Sequence, residues 1–593
     1  MSRARGWHCL PVLLAVLGAA RVQSARCPFT RPAFCNAESN QYRTFDGSCN
    51  NQVDTTMGKS NTPLLRVLEP NYANGIHSPR RTNSNQILPS ARRIVTTLLQ
   101  DRDVPSKVSN IMVMTWAQLV SHDVSRIQAS FPRPNSACCA VTNTTDSCDR
   151  IPVPADDSFY SRFGVRCIGV DRSASAPCRT AAHEQTNLVT HWLDASFVYG
   201  SDQHVALHLR ERRGGRLRTQ FIQADEFLPR GANGGMEAGD GRVTITPMLA
   251  ALQTLFMREH NRVARRLASV NLDWSDEELF QEARRIVIAE WQLLTYRDWL
   301  QWLIGTDVVQ KEGLLPSLRL GSADYDHTVD ATTANDFTSG AYRSFHSMIA
   351  NDVWFTDGKD SRPERRLLSD VTADAILHPV SFKRTVLGLV YQPRQRQDQF
   401  IAEEITNKMF RGRNAFGSDL MSVDIQRGRE HGLPSYNEYR EHCRLRRAES
   451  FDDFNDTISA ENIALLRKVY DNHDDVDFLV GGLLEQIDDR NPLATITSPT
   501  FRCVIVQQFK RWKRGDRFFF DLNKREFGFS PAQLQELRKV TMSRLICDNT
   551  PGVTTIPDDV FLNLGVLGNH EVSCRDLPSM DLRAWRGRPP KSG

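Results

Sequence analysis

The chain has 593 residues, 24% of them charged and 40% hydrophobic, with a formal net charge of +4 at pH 7. That near balance excludes a strong general attraction to nucleic acid or to an anionic membrane, and the composition excludes a disordered or fibrous chain. No proline-, glycine- or serine-rich linker, charge block or internal repeat divides it, so one large domain or two closely packed lobes is expected, not the roughly four domains that length alone suggests.

Arg3 and Arg5, apolar Leu10 to Ala20 and then Val22-Gln23-Ser24 follow the order of a secretory signal. Residues 1–24 are therefore expected to be removed, which takes away Arg3, Arg5 and Arg21 and leaves +4 − 3 = +1. The apolar stretch is too short to span a bilayer and no later run of about 20 apolar residues follows, so an exported, soluble protein is expected. Of 13 cysteines, Cys9 lies in the signal, leaving 13 − 1 = 12, an even number suited to bridges in an oxidising compartment. Asn143-Thr144-Thr145 and Asn455-Asp456-Thr457 are glycosylation sequons.

Residues 25–105 form a polar, turn-rich segment expected to be irregular and pinned by Cys27, Cys35 and Cys49. A catalytic body is expected over 106–580 and a tail over 581–593. Helical periodicity dominates the body. Ile111 to Val124 reads as an amphipathic helix, and Thr246 with Pro247 reads as the cap and first turn of a helix reaching Val270. Glu278 to Leu303 and Ala341 to Val353 also read as helices, and strand patterns are scarce. The class is mainly α with little β.

Five constellations carry candidate chemistry. Trp116 to Asp123 places Gln118 and His122 on one helix face and turns Asp123 about 100° away, so one helix can serve two sites. A neutral His122 can take a proton from bound peroxide and return it to the leaving oxygen. Thr190, Trp192 through its carbonyl, Asp194 and Ser196 offer hard oxygen ligands that suit calcium, with Asp123 as a further carboxylate; the plain alternative is a capped turn. Arg242 stands before the helix that carries Arg258-Glu259-His260-Asn261-Arg262, and a fixed cation stabilises charge on a departing oxygen. His346, in Ala341 to His346, is either a hydrogen-bonded core residue or an axial ligand to haem iron. Asp424 to Pro434 offers Asp424 as an acceptor for an iron-bound imidazole and Arg427 as a partner for a haem propionate.

Together and in this order the motifs resemble those of the animal haem peroxidases of the peroxidase–cyclooxygenase superfamily, from about Cys35 to Cys574. W-x-Q-x-x-x-H-D matches Trp116 to Asp123, T-x-[FW]-x-D-x-S with V-Y-G-S matches Thr190 to Ser201, R-E-H-N-R matches Arg258 to Arg262, Arg343 and His346 match the proximal pattern, and Q-R-G-R-[DE]-H-G matches Gln426 to Gly432. The resemblance implies a large, mostly helical domain with haem between central helices. It implies His122 as distal acid–base, Arg242 as its partner, Gln118 in the distal cavity and His346 as proximal iron ligand beside Arg343, Asp424 and Arg427. It implies calcium bound by Asp123, Thr190, Trp192, Asp194 and Ser196, and disulfides Cys443–Cys503 and Cys547–Cys574. The implied activity is reduction of hydrogen peroxide to water, through a ferryl state, with oxidation of small donors.

The chain departs from the mammalian pattern where haem is esterified. Ser121 and Ile245 stand in place of the two carboxylates, and Thr246 in place of a methionine found in some members. Haem b without covalent links is therefore expected. Asp424 replaces the asparagine of several members, which favours ferric iron and points to phenols, iodide or thiocyanate as donors in preference to chloride. Arg514-Gly515-Asp516 raises a different reading, attachment to a cell-surface or matrix partner. A lipid oxygenase and a peroxide-dismutating enzyme are further alternatives; an obvious growth-factor-like module and amphipathic membrane helices near the start are lacking.

Overall fold

The computed structural model describes residues 32–587 apart from 131–137, 141–146, 177–181, 318–320, 488–490, 492–493 and 525–526. The expected signal, Cys27, Cys178 and the Asn143 sequon lie outside the described residues. The fold is mainly helical, and among the described residues the sheets are six isolated two-stranded pairs.

Seven helices position the site: α1 (Ala91–Leu98), α2 (Ile111–Val124), α3 (Pro247–Val270), α4 (Asp276–Leu293), α5 (Pro379–Tyr391), α6 (Leu420–Glu430) and α7 (Pro499–Gly515). A hairpin of β1 (Cys148–Pro152) and β2 (Cys167–Asp171) pairs Cys148 with Asp171. The Asn110 side chain accepts the Met112 N–H at 3.1 Å and starts α2. Thr246 accepts from Leu249 N–H and Pro247 opens α3, as the sequence implied. Ser275 and Glu278 form a capping box on α4. After α4 the backbone widens into a π-turn over Leu294–Trp299 and resumes as a helix over Leu300–Ile304.

The core centres on Trp116 of α2, whose ring centroid lies 4.6 Å from that of Trp291 (α4) and 5.9 Å from that of Phe256 (α3). Its Nε1 donates to Thr295 Oγ1 at 3.1 Å, so burial costs it no hydrogen bond. Trp116 and Asp123 are seven residues apart, two turns, and share the core face of α2. α3 packs on α4 and α5, and α6 packs on α1.

Three expectations differ from the structure. Ala341 to Val353 is not an α-helix: a π-turn over Asp336–Gly340 leads into a 3₁₀ helix over Ala341–Met348, and Asp352–Phe355 is a strand paired with Glu364–Leu367. Crowding supplies a reason: a Cβ at Gly340 would lie 2.7 Å from the Phe478 ring. The irregular N-terminal segment contains α1. The expected tail forms a 3₁₀ turn over Leu582–Trp585, with the Trp585 carbonyl accepting from Asn271 Nδ2 at 3.1 Å. The disulfides Cys443–Cys503 and Cys547–Cys574 are present, with Cys35–Cys49, Cys138–Cys148 and Cys139–Cys167.

α6 is tied down by a buried cation. Arg92 on α1 donates to Asp419 Oδ2 at 2.8 Å and to Asp157 Oδ2 at 2.7 Å, while Asp419 caps α6 by accepting from Ser422 N–H. Removing one partner of such a network leaves two buried carboxylates uncompensated. Arg92→Met should therefore destabilise the protein by about 3–5 kcal/mol, read as a lowered denaturation midpoint; an unchanged midpoint would show that α6 does not depend on this arginine.

Candidate active site

A cavity of about 570 Å³ opens between α2, the 3₁₀ helix Ala341–Met348 and α6, within the roughly 300–1,000 Å³ typical of ligand and cofactor pockets. From α2 it is lined by Met114, Ala117, Gln118, Ser121, His122 and Ser125. These positions follow i, i+3, i+4, i+7, i+8 and i+11, a single helical stripe.

His122 is buried, and its Nδ1 has no hydrogen-bond partner among the described residues. Burial first, then the positive charge of Arg242, pushes its imidazole down to about 3, so the ring is neutral at pH 7. Arg242 is held rigidly: Nε donates to Asp240 Oδ1 at 2.8 Å, and Nη2 to Asp240 Oδ2 at 2.7 Å and to the His122 carbonyl at 3.0 Å. Burial opposes the charge on Asp240, but the Arg242 guanidinium outweighs it and holds that carboxyl well below the usual range. Sequence reasoning missed Asp240; an aspartate two residues before a candidate arginine was the available signal.

On the opposite wall His346 Nδ1 meets Asp424 Oδ2 at 2.6 Å, leaving Nε2 as the nitrogen open to a ligand. In a 3₁₀ helix residues three apart eclipse, so Arg343 and His346 share a side. Arg343 Nη1 lies 3.7 Å from Asp424 Oδ1, and its Nε is buried without a partner. The Tyr342 hydroxyl is likewise buried, lines the cavity and lacks a partner. Arg427 lines the wall but is already engaged, donating to Glu430 Oε2 at 2.7 Å and to the Asp171 carbonyl at 2.8 Å. Its charge is matched, which weakens the case for it as the main propionate partner. Arg126, four residues after His122, lines the cavity, is exposed and forms no ion pair among the described residues; the sequence reading did not single it out.

Ser121 and Ile245 line the same cavity. Thr246 does not; its hydroxyl caps α3. The polar wall fits a haem: one imidazole braced with a free nitrogen, one neutral imidazole beside a fixed cation, and unpaired donors between them.

The other sequence-selected oxygens gather on the far side of α2. The Asp123 carboxylate accepts from Ala195 N–H at 3.1 Å, Ser196 N–H at 2.5 Å and Trp291 Nε1 at 2.8 Å. Ala195, at φ 56°, takes the left-handed turn that aims both amides at Asp123. Thr190 Oγ1 donates to Asp194 Oδ1 at 2.9 Å. The Trp192 indole donates to the Gly47 carbonyl and lies where a Cβ at Gly58 would fall within 2.3 Å. Burial pushes the Asp194 carboxyl up to about 6 although Arg43 and Arg284 pull it down, and burial plus nearby Asp194 raises Asp123 well above the usual range. Two buried carboxylates that form no ion pair among the described residues, with hydroxyl oxygens nearby, suit a hard cation.

The model of the animal haem peroxidase family matches residues 42–561. The chain belongs to that family. It is 35% identical to a peroxidase of Drosophila melanogaster over 93% of its own length and 84% of the relative's, and 36% identical to the chorion peroxidase of the same species over 94% and 72%. The fold is similar to that of peroxidase A from Dictyostelium discoideum, with a TM-score of 0.74 at 23% identity, covering 88% of this chain and 99% of the other. The protein is a haem peroxidase, and its class of reaction implies hydrogen peroxide and a reducing substrate. No helix among the described residues is long and apolar enough to cross a membrane.

The integrin-type tripeptide is not presented as a loop. Asp516 is buried, accepting from Arg43, Asn50 and Gln292, and Gly515 is packed against Ala331. Attachment to a cell-surface or matrix partner through Arg514-Gly515-Asp516 is therefore excluded in this fold.

Proposed function

We propose that this peroxidase is extracellular and reduces hydrogen peroxide while oxidising phenols, iodide or thiocyanate, with His346 as iron ligand and His122 as acid–base. The contrast between the two histidines carries this reading: His346 is braced through Nδ1 by a buried carboxylate, and His122 is neutral beside a fixed cation. When bound, haem b supplies the iron at which peroxide is reduced and the oxidising equivalents passed to the donor. The chain's residues do the remaining work. His122 would accept a proton from one peroxide oxygen and return it to the departing one. Arg242, locked by Asp240, faces the charge that develops on that departing oxygen. Gln118 lines the same side. Asp424 orients His346 and increases its electron donation, which favours the easier donors over chloride. Asp123, Thr190, Trp192, Asp194 and Ser196 would hold calcium. Five disulfides and an exposed Asn455 in its sequon support an oxidising, extracellular setting.

The two histidines are separable. His346→Ala should lose haem or its normal ferric spectrum. His122→Ala should retain haem but react with peroxide about 10²–10⁴-fold more slowly in stopped flow. The reverse pattern would exchange the roles.

The calcium reading predicts that Asp194→Ala loses about one bound calcium per chain by elemental analysis, with a lower melting temperature and reduced activity, because Asp123 adjoins His122. A fully active variant with unchanged stability and no metal would dispose of the ion.

Haem attachment is decided by chemistry at the cavity edge. Serine and isoleucine supply no acyl group at positions 121 and 245. Asp171 is the one carboxylate among the described residues lining the cavity. Acidic organic extraction should therefore carry the haem away from the polypeptide. A haem-bearing peptide after denaturing extraction, especially one containing Asp171, would show that a link exists.

A further inference from the structure

A second, much smaller cavity of about 30 Å³ lies where residues 41–43 meet α4 and the chain beyond α7, and it shares no lining residue with the haem cavity. Three guanidiniums line it: Arg43, Arg284 and Arg285. Arg43 is ion-paired with Asp516 at 2.5 Å and Arg285 with Glu282 at 3.2 Å. Arg284 has no such carboxylate among the described residues. Its side chain is buried and donates to the carbonyls of Arg43 at 2.6 Å and Thr44 at 3.3 Å. Arg284 Nε, Arg43 Nη1 and Arg285 Nη2 are all buried without a hydrogen-bond acceptor. The cavity is therefore walled by three arginines that each keep an unused donor, and one of them, Arg284, lacks a direct ion pair, the carboxylate that acts on it most being that of Asp194.

The remaining wall is chiefly phenylalanine, including Phe518, Phe519, Phe520, Phe527 and Phe529. Arginines already cover faces of three of these rings: Arg43 and Arg517 over Phe518, Arg517 over Phe527 and Arg285 over Phe529, at 4.1 to 5.5 Å to the centroids. Ring edges are electropositive and tolerate a weakly hydrated anion, whereas ring faces prefer a cation. We propose that this cavity binds one monovalent anion of halide size, held by Arg284 with help from Arg43 and Arg285. Volume sets the size: a water needs roughly 10–15 Å³ of such space, so the cavity admits two or three water-sized centres and no large organic body. Charge limits the valence: Asp516 and Glu282 pair with Arg43 and Arg285, and Asp194 acts on Arg284 without a direct ion pair, so the site accommodates at most one negative charge.

The site is tested on the haem-loaded protein with bromide as probe. In bromide-soaked crystals an anomalous peak is expected within hydrogen-bonding distance of Arg284, distinct from any peak in the haem cavity. In solution, bromide at constant ionic strength should raise the melting temperature, and Arg284→Gln should weaken that dependence by about tenfold or more, a charged hydrogen bond being at stake. Arg285→Gln, on a less buried side chain, should weaken it less and guards against an Arg284 variant that fails to fold. Ordered water alone in the cavity of bromide-soaked crystals, or bromide found only in the haem cavity, would overturn the proposal.

Discussion

The structure depends on the rotational setting of α2. His122 and Asp123 are consecutive, so no rotation of the helix moves one without the other. The setting is held at both ends: Asn110 caps the start, and the Asp123 carboxylate near the end accepts three N–H donors from the 190s loop and α4. Trp116, on the same core face, is wedged between α3 and α4. Because that face is fixed by packing and charge, the opposite stripe carrying Gln118 and His122 is fixed toward the cavity. A buried carboxyl group anchored on one side of the helix thus positions a neutral imidazole on the other.

The proximal side is built differently. His346 sits on a short 3₁₀ helix, which lacks the length to define its own direction. Its orientation comes from Asp424 on α6, and the placement of α6 comes from Arg92 through Asp419. The chain of dependence runs from a buried ion network on α1, through a helix cap, to a ring nitrogen at the cavity wall. An error of one turn in α6 would take Asp424 out of reach of His346.

The sequence made α2 and α3 legible through their apolar stripes and, for α3, the Thr246-Pro247 start; the helix expected from Glu278 to Leu303 instead starts at Asp276 behind a Ser275 cap and gives way to a π-turn at Leu294. The stretch after Ala341 was misread because apolar spacing at three and four residues serves an α-helix and a 3₁₀ turn almost equally, and spacing carries no signal of the close approach of Phe478 at Gly340. That His122 and Asp123 face two different sites was readable from helix geometry alone. Asp240 and Arg126 were not singled out, since an aspartate or arginine in a loop has no periodic signal and becomes informative only when the cavity wall is assembled. The engagement of Arg427 by Glu430 was visible as an i, i+3 pair on a helix, but its consequence for a propionate depends on burial that spacing does not report.

Charge accounting around the cavity narrows the roles further. Arg242 is neutralised by Asp240 and Arg427 by Glu430. Arg126, without an ion pair among the described residues, and Arg343, whose only contact with a carboxylate is the 3.7 Å one to Asp424, are the arginines of the wall that would be left to face two propionates under the proposed reading. Arg343 also faces Asp424 at 3.7 Å. A guanidinium there draws negative charge away from the carboxylate and so limits how far Asp424 can push electron density onto His346. If a propionate engages Arg343 in turn, that restraint weakens and the imidazole becomes the stronger donor. Under the proposed reading, Asp424 would then act on His346 directly and against the pull of Arg343, so the effect of position 424 would depend on the arginine three residues before the histidine.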